Sequence, residues 1–470
     1  MTLSLIDFLA ISPLLLLLIG SLSLLLVESF AGKSAKLIAP VLTQAALLMA
    51  LYAAYYAPSS TNIALTRWLR FDALTYFFNL FFLVVGIASA LLATSFFLRF
   101  KAATRGEYFF LLLTALMGLM LTAASADFLT LFLGIEILSL SLYVLCGYMK
   151  SWDFSHEAAM KYFFMGSIAA AFLLYGIALV YGAVGSTQFE GLLAAYRKQE
   201  LFPDRLLFLG GIGMITCAVA FKAAVVPFHV WAPDVYDGAP TPVTAFMAVG
   251  VKAGAFAALI RVFLEALPHF DPLWNDMVTI LIIATLIVAN FAALVQIHLR
   301  RFFAYSGISH AAFLLIPLAS TGPNSLSSLL FYLVVYAAAT FGAFAVLGQL
   351  DRGSQGVDLK DLKGLFYRSP WMAAVMTFCL LTLAGIPPTA GFFAKFYVLK
   401  TAFAAGNILL VIVGLLSTVL SLFYYLRIVT TMLKEERQER LSPLWPATAV
   451  GFCSLAAIVW LSVFPGILVN

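Results

Sequence analysis

The chain has 470 residues, of which 63% are hydrophobic, 15% aromatic and only 10% charged, with a formal net charge of +5. That balance excludes a soluble globular protein. The small positive excess comes from loop lysines and arginines and carries no signal for nucleic acid.

Apolar runs of about 18 residues or more recur from end to end and read as transmembrane helices. The alternation of a transmembrane barrel is absent. The fold class predicted is all-α, a polytopic membrane bundle of about fourteen spans with no soluble domain. No Lys or Arg precedes Lys33, so the basic start of a signal peptide is missing and the first run is read as a span. The spans fall near Leu5–Val27, Leu37–Ala57, Ala73–Phe97, Tyr108–Ala124, Phe128–Tyr148, Ala158–Val184 and Leu206–Tyr236. They continue near Pro242–Ala266, Leu273–Gln296, Phe302–Ala319, Leu326–Leu350, Trp371–Thr401, Ile408–Leu433 and Leu444–Pro465.

Loop charges test this order, because Lys and Arg favour the cytoplasmic side. The odd-numbered connections collect Lys33, Lys36, Arg99, Lys101, Arg105, Lys150, Arg300, Arg301, Arg352, Lys360, Lys363, Arg368, Lys434, Arg437 and Arg440. The even-numbered ones hold only Arg67, Arg70, Arg197, Lys198, Arg205 and Lys400. The asymmetry puts both termini on the outer side.

Two spans carry breakers. Phe221-Lys222-Ala223-Ala224-Val225-Val226-Pro227 interrupts the seventh, and Ala384-Gly385-Ile386-Pro387-Pro388-Thr389-Ala390-Gly391 the twelfth. Proline removes a backbone donor and clashes with the preceding turn, so both helices should break. Irregular backbone at membrane depth persists only inside protein or along a cavity, and paired broken helices point to a transport site. The breaks lie five spans apart, an odd number, so two repeats containing them are inverted.

Ionisable groups inside apolar runs are costly and mark ion or proton pathways. Glu136 lies deep in the fifth span, Lys222 stands one turn before Pro227, and Lys252 sits among glycines and alanines in the eighth span. Lys395 follows the second break, and Lys161 lies four residues after Glu157 in an ordinary helix-surface pairing. Burial disfavours charge on either partner and pairing restores it, so Glu136 opposite Lys222 makes a proton-loading pair, with Lys252 relaying onward and Lys395 at an exit. His229, His298 and His310 are secondary proton-shuttle candidates. Asp234 and Asp237 follow the broken seventh helix and are placed to attract cations. Cys146, Cys217, Cys379 and Cys453 are isolated, so no iron–sulfur, haem or zinc site is expected.

The stretch Pro227-Phe228-His229-Val230-Trp231-Ala232-Pro233-Asp234-Val235-Tyr236-Asp237-Gly238-Ala239-Pro240-Thr241-Pro242-Val243-Thr244-Ala245-Phe246 resembles the antiporter-like subunit family of bacterial NADH:quinone oxidoreductase (respiratory complex I), in its subunit N branch. Gly385–Phe392 and Arg301–His310 match as well, and the likeness runs nearly the whole chain. It implies a fourteen-helix proton-translocating subunit with two inverted five-helix repeats. The divisions are 1–105 for the first three helices, 106–267 and 268–434 for the repeats, and 435–470 for the last helix.

The resemblance also implies that Glu136, Lys161, Lys222, Lys252 and Lys395 are the intramembrane glutamate and lysines of the fifth, sixth, seventh, eighth and twelfth helices. It places no cofactor in this chain. NADH, FMN, iron–sulfur clusters and quinone belong to partner subunits, with an M-type antiporter-like subunit and small K- and J-type subunits as neighbours in the bacterial inner membrane. The competing readings are a subunit of a multisubunit cation/proton antiporter, a non-pumping structural subunit of the same complex, and a free-standing solute carrier.

Overall fold

The computed structural model describes residues 4–100, 106–197, 205–267, 272–320, 322–435 and 441–466. Among these residues the chain is nearly all helix, with isolated bridges such as Leu69 to Ser125 but no strand. Thirteen helices are long and apolar enough to cross a bilayer. They are α1 (Leu5–Phe30), α2 (Ala35–Tyr55), α3 (Ala73–Phe100), α4 (Gly106–Ala124), α5 (Phe128–Cys146), α6 (Asp153–Val184) and α7 (Arg205–Ala223). The short α8 (Trp231–Gly238) completes the seventh span after its break. Next come α9 (Thr241–Ala266), α10 (Pro272–Val295), α11 (Leu299–Ala319) and α12 (Ser325–Leu350). The twelfth span is split into α13 (Pro370–Ala384) and α14 (Ala390–Ala404), and α15 (Ile408–Leu433) and α16 (Trp445–Val463) close the bundle. With the split span included, the fourteen expected crossings are present. Continuous helix follows from the solvent, because backbone groups facing lipid must be satisfied within their own segment.

Contacts between connections sort the two ends. At one end Arg99 donates from Nε to Asp351 O at 3.0 Å, His298 Nδ1 lies 2.7 Å from Asp358, and Leu441 N donates to Arg368 O at 3.2 Å. These join the connections after the third, ninth, eleventh and thirteenth spans. At the other end Ala126 N donates to Trp68 O, Phe128 N to Thr187 O, Arg70 pairs with Glu265, and Asn407 Nδ2 donates to Ser320 Oγ at 2.8 Å. Asp7 near the start of α1 accepts from Asn62 Nδ2 at this same end. Odd and even connections therefore segregate as the charge pattern requires. Lys101, Arg105, Lys198, Arg437 and Arg440 of that pattern lie outside the described residues.

The core is built on the helices from the middle of the chain. The most apolar stretches of α9, α11 and α12 are 100%, 94% and 83% buried, against 33% for α1, α2, α6 and α15. Helix pairings recur with an offset of five spans. α4 packs on α5 as α10 does on α11, α6 on both α7 and α8 as α12 does on both α13 and α14, and α9 on α7 as α15 does on α13. Without a hydrophobic drive between helices in lipid, close approach relies on small residues. A Cβ on Gly118 would sit 2.6 Å from Gly134 O, and one on Gly134 would sit 2.6 Å from Thr122 Oγ1, so this pair seats α5 directly against α4.

Reporters fused at the two termini should be accessible from the same membrane side, and one inserted at residues 354–355 from the opposite side. A protease-accessibility assay on oriented vesicles checks this.

Candidate functional site: buried lysines along the bundle

The break after α7 is closed by hydrogen bonds from several sources. Ala224 holds φ 57°, a left-handed conformation uncommon outside glycine, and its N–H bonds Phe221 O at 3.1 Å. Trp231 Nε1 donates to the same carbonyl at 3.0 Å, and Val226 N reaches Thr285 Oγ1 of α10 at 3.1 Å. The freed backbone is thus satisfied from α8 and from the second half of the molecule. This break fixes Lys222 on the last turn of α7, 6% exposed.

The Lys222 ammonium donates to Ser139 Oγ of α5 at 2.8 Å. It lies over the rings of Tyr162, Phe221 and Tyr143 at 5.2, 5.6 and 5.7 Å, within cation–π range. Glu136, three residues before Ser139 on the same helix face, shares the chamber and interacts electrostatically with Lys222. The two are not in contact as an ion pair, and Glu136 Oε1 is buried without a hydrogen bond. The pair expected from the sequence is therefore an arrangement of three groups, with a serine hydroxyl holding the cation.

Lys252 follows a π-helical segment, Met247–Val251, in the fully buried α9. Such wide turns interrupt the regular ladder and often accompany functional positions. Its ammonium donates to Gly307 O of α11 and lies 5.4 Å from the Tyr336 ring of α12. Gly307 leaves room for this approach: a Cβ there would lie 3.0 Å from both Lys252 Nζ and the Tyr336 hydroxyl, so those two side-chain ends would have to give by a few tenths of an ångström. One turn along α11, His310 bonds Tyr332 OH through Nδ1 at 2.7 Å and Tyr425 OH through Nε2 at 3.1 Å. Tyr425 OH in turn shares a hydrogen bond with Ser306 Oγ.

Lys395 sits one turn into α14. It donates to Ala384 O, the carbonyl ending α13, at 2.9 Å, and to Ser421 Oγ of α15 at 3.4 Å. Its ammonium is 5.1 Å from the Phe313 ring and electrostatically coupled to His310, as is that of Lys252. A cavity of about 340 Å³, lined by Gly385, Lys395, Phe396, Val411 and Thr418 among others, opens beside it. Among the described residues none of these three lysines makes an ion pair. Cys146 at the end of α5 and Met247 of the segment before Lys252 bring two buried sulfurs within 3.5 Å. The polar file is in two parts, one at Glu136–Ser139–Lys222 and one running from Lys252 through His310 and Tyr425 towards Lys395.

Residues 125–421, which hold both parts apart from Tyr425, match the family described as NADH:quinone oxidoreductase/Mrp antiporter, TM. The chain belongs to this family. It is 57% identical over 466 residues to NADH-quinone oxidoreductase subunit N of Protochlamydia amoebophila, covering 99% of this chain and 97% of that protein. The subunit N of Myxococcus xanthus is 37% identical, with 99% and 96% covered. Respiratory complex I of Thermus thermophilus contains a chain 31% identical, matched over 97% of this one and 98% of that one with a TM-score of 0.83. A chain of the Mrp complex from Dietzia superposes with a TM-score of 0.87 at 20% identity, a likeness of fold.

Other residues expected on the buried path of this NADH:quinone oxidoreductase/Mrp-type chain lie elsewhere. Lys161 is not in the buried file. Its side chain is 44% exposed and pairs with Glu157 at 2.8 Å and Asp234 at 2.7 Å, while Asp234 also holds Arg301 at 2.9 Å. The i, i+4 spacing with Glu157 forms as an ordinary surface pair, at the rim of a cavity of about 490 Å³ shared with Asp237, His298 and Arg300. His298 is 54% exposed and paired with Asp358. His229 lies at the first break, its Nδ1 buried without a hydrogen bond. Only His310 joins the lysines.

Sequence reasoning missed the most completely paired charge. Arg261, 0% exposed near the end of α9, places both terminal nitrogens on Asp72 at 2.6 and 2.7 Å. It also bonds Glu265 at 2.7 Å, Thr75 Oγ1 at 2.7 Å and Ala123 O at 2.8 Å, and Arg70 closes the network on Glu265 at 2.6 Å. Burial acts to raise the Asp72 carboxyl, and the Arg261 guanidinium with the Thr75 hydrogen bonds outweighs it, holding that carboxyl down at about 2. Arg261 and Glu265 at i, i+4 gave the only local signal, while Asp72 comes from the distant connection before α3.

Removing one member of a buried ion network costs about 3–5 kcal/mol. Arg261→Met should therefore abolish stable subunit, whereas Lys161→Met should change stability by no more than about 1 kcal/mol. The amount of intact subunit in membranes, followed by immunoblot after heating, checks both.

Proposed function

We propose that this chain is the proton-translocating subunit N of a bacterial NADH:quinone oxidoreductase, a translocase subunit that performs no redox chemistry itself. The observation that carries the reading is a file of buried lysines held by neutral oxygens within a chain alike, end to end, to named N subunits. A cation so placed costs a few kcal/mol at bilayer depth, and such groups are kept where charge moves.

In this reading NADH, FMN, iron–sulfur clusters and quinone are held by partner subunits. M-type and small K- and J-type subunits flank this one in the inner membrane, with both termini on the periplasmic side. The units 106–267 and 268–434 are inverted repeats, one around each broken helix. A conformational or electrostatic signal from a neighbour perturbs Glu136 and Lys222. Lys222 gives up its proton towards Lys252, and His310 with its tyrosine partners carries it on to Lys395. Moving a charge against the membrane potential costs about 2.3 kcal/mol per 100 mV, and a proton-affinity change of one pKa unit supplies about 1.4 kcal/mol, so a swing of a few units matches the load.

Lys222→Met should leave assembled complex in membrane vesicles while NADH-driven internal acidification falls at least about tenfold, the equivalent of roughly 1.4 kcal/mol or more of lost coupling. Gly307→Ala, which sets a methyl 3.0 Å from the Lys252 ammonium and displaces it from Gly307 O, should lower acidification several-fold. Unchanged acidification in Lys222→Met and in Glu136→Gln would return both charges to a scaffolding role. Acidification that needs sodium and not NADH would favour the antiporter reading.

A further inference from the structure

We propose that Ser139 is a positioning residue that holds the Lys222 ammonium off the Glu136 carboxylate, an inference that rests on the proton-translocating reading above. Ser139 is fully buried on α5, one turn after Glu136. Its hydroxyl has a single proton, and that proton is committed to Ile135 O of its own helix. The lone pairs are then all it can offer, and Lys222 Nζ donates to them at 2.8 Å. This is the one hydrogen bond made by the ammonium among the described residues. Its other neighbours are the ring faces of Tyr143, Tyr162 and Phe221.

The groups facing Lys222 can be named from each packed element. α5 presents Glu136, Ser139, Tyr143 and Cys146; α6 presents Tyr162; and α9, packed on α7, turns its Lys252 away towards Gly307. Glu136 is the only carboxylate among them. Its Oε1 is buried and makes no hydrogen bond, although it lies on the same face of α5 as the serine that does. A buried carboxylate oxygen without a partner and a buried ammonium without an ion pair, in one chamber, collapse together unless something holds them apart. The serine does this by offering a neutral acceptor one turn along the helix from the carboxylate. The long flexible stem of lysine allows either contact, so the hydroxyl sets which one is occupied at rest. Releasing Lys222 from Ser139 to Glu136, and back, is then a movement of one side chain over one helical turn, with no change in the backbone.

Without the hydroxyl, Glu136, the one charged acceptor facing the ammonium, outcompetes the neutral Tyr143 and Tyr162 hydroxyls for it and holds it in the state that does not pass its proton on. Threonine supplies the same hydroxyl and makes the same bond to the carbonyl four residues back, so it preserves the device.

The test is NADH-driven acidification in membrane vesicles holding the whole complex, normalised to assembled complex, for Ser139→Ala, Ser139→Thr and Lys222→Met. The expected result is at least a tenfold loss in Ser139→Ala with assembly unchanged, and activity within twofold of the native level in Ser139→Thr. Native acidification in Ser139→Ala, while Lys222→Met is inactive, overturns the role of Ser139 and leaves the proposed function standing. Equal loss in the alanine and threonine variants, or a loss accounted for by missing complex, also overturns it, because then shape rather than the hydroxyl matters. Native acidification in Lys222→Met as well overturns the underlying reading instead.

Discussion

An ammonium group at the centre of a bilayer costs about 3 kcal/mol or more unless something satisfies it, and this subunit holds Lys222, Lys252 and Lys395 there without a contact counter-ion. Much of the architecture supplies what those cations need. A regular helix has no spare acceptors, since its carbonyls are used by its own ladder. The chain makes acceptors available by interrupting helices or by bringing a serine alongside. Ala384 O is free because α13 ends there, and Lys395 of the next helix takes it. Lys222 uses Ser139, and Lys252 reaches across to Gly307 O because glycine leaves room for it.

The two breaks solve similar problems with different groups. At the first, the carbonyl of Phe221 is taken by the indole of Trp231, which leaves the neighbouring Lys222 free to face the fifth helix. At the second, the lysine itself takes the freed carbonyl. The first lysine therefore shares its chamber with a carboxylate, while the second lies beside a cavity and a histidine flanked by two tyrosines. Similar helix packing thus carries two chemically different ends.

Arg261 shows what a charge kept for stability looks like in the same bundle. All of its donor nitrogens are engaged, with two carboxylates, a hydroxyl and a carbonyl around it. Its planar fork suits that fixed geometry, and its charge is not released under any ordinary condition. The buried lysines have the opposite environment, with one or two neutral oxygens and aromatic faces. Fully paired arginine and sparsely paired lysine thus stand in opposite electrostatic environments within one bundle.

The sequence by itself determined the spans, because lipid forces every apolar run of sufficient length into helix, and it located both breaks, because proline cannot continue one. It also singled out Glu136, Lys222, Lys252 and Lys395, since charge within an apolar run is legible without any structure. What it could not supply was which partner each charge meets. The surface pairing of Lys161 with Glu157 was legible, but not that Asp234 joins it on an exposed rim, nor that Lys222 meets Ser139 in a chamber lined by aromatic rings. Ser139, Tyr425 and Asp72 carry no signal at all in their own segments, because serines, tyrosines and loop acids are ordinary there. Their importance comes from helices far apart in the chain meeting in space, and only the tertiary packing decides which hydroxyl or carboxylate stands within 3 Å of a buried cation.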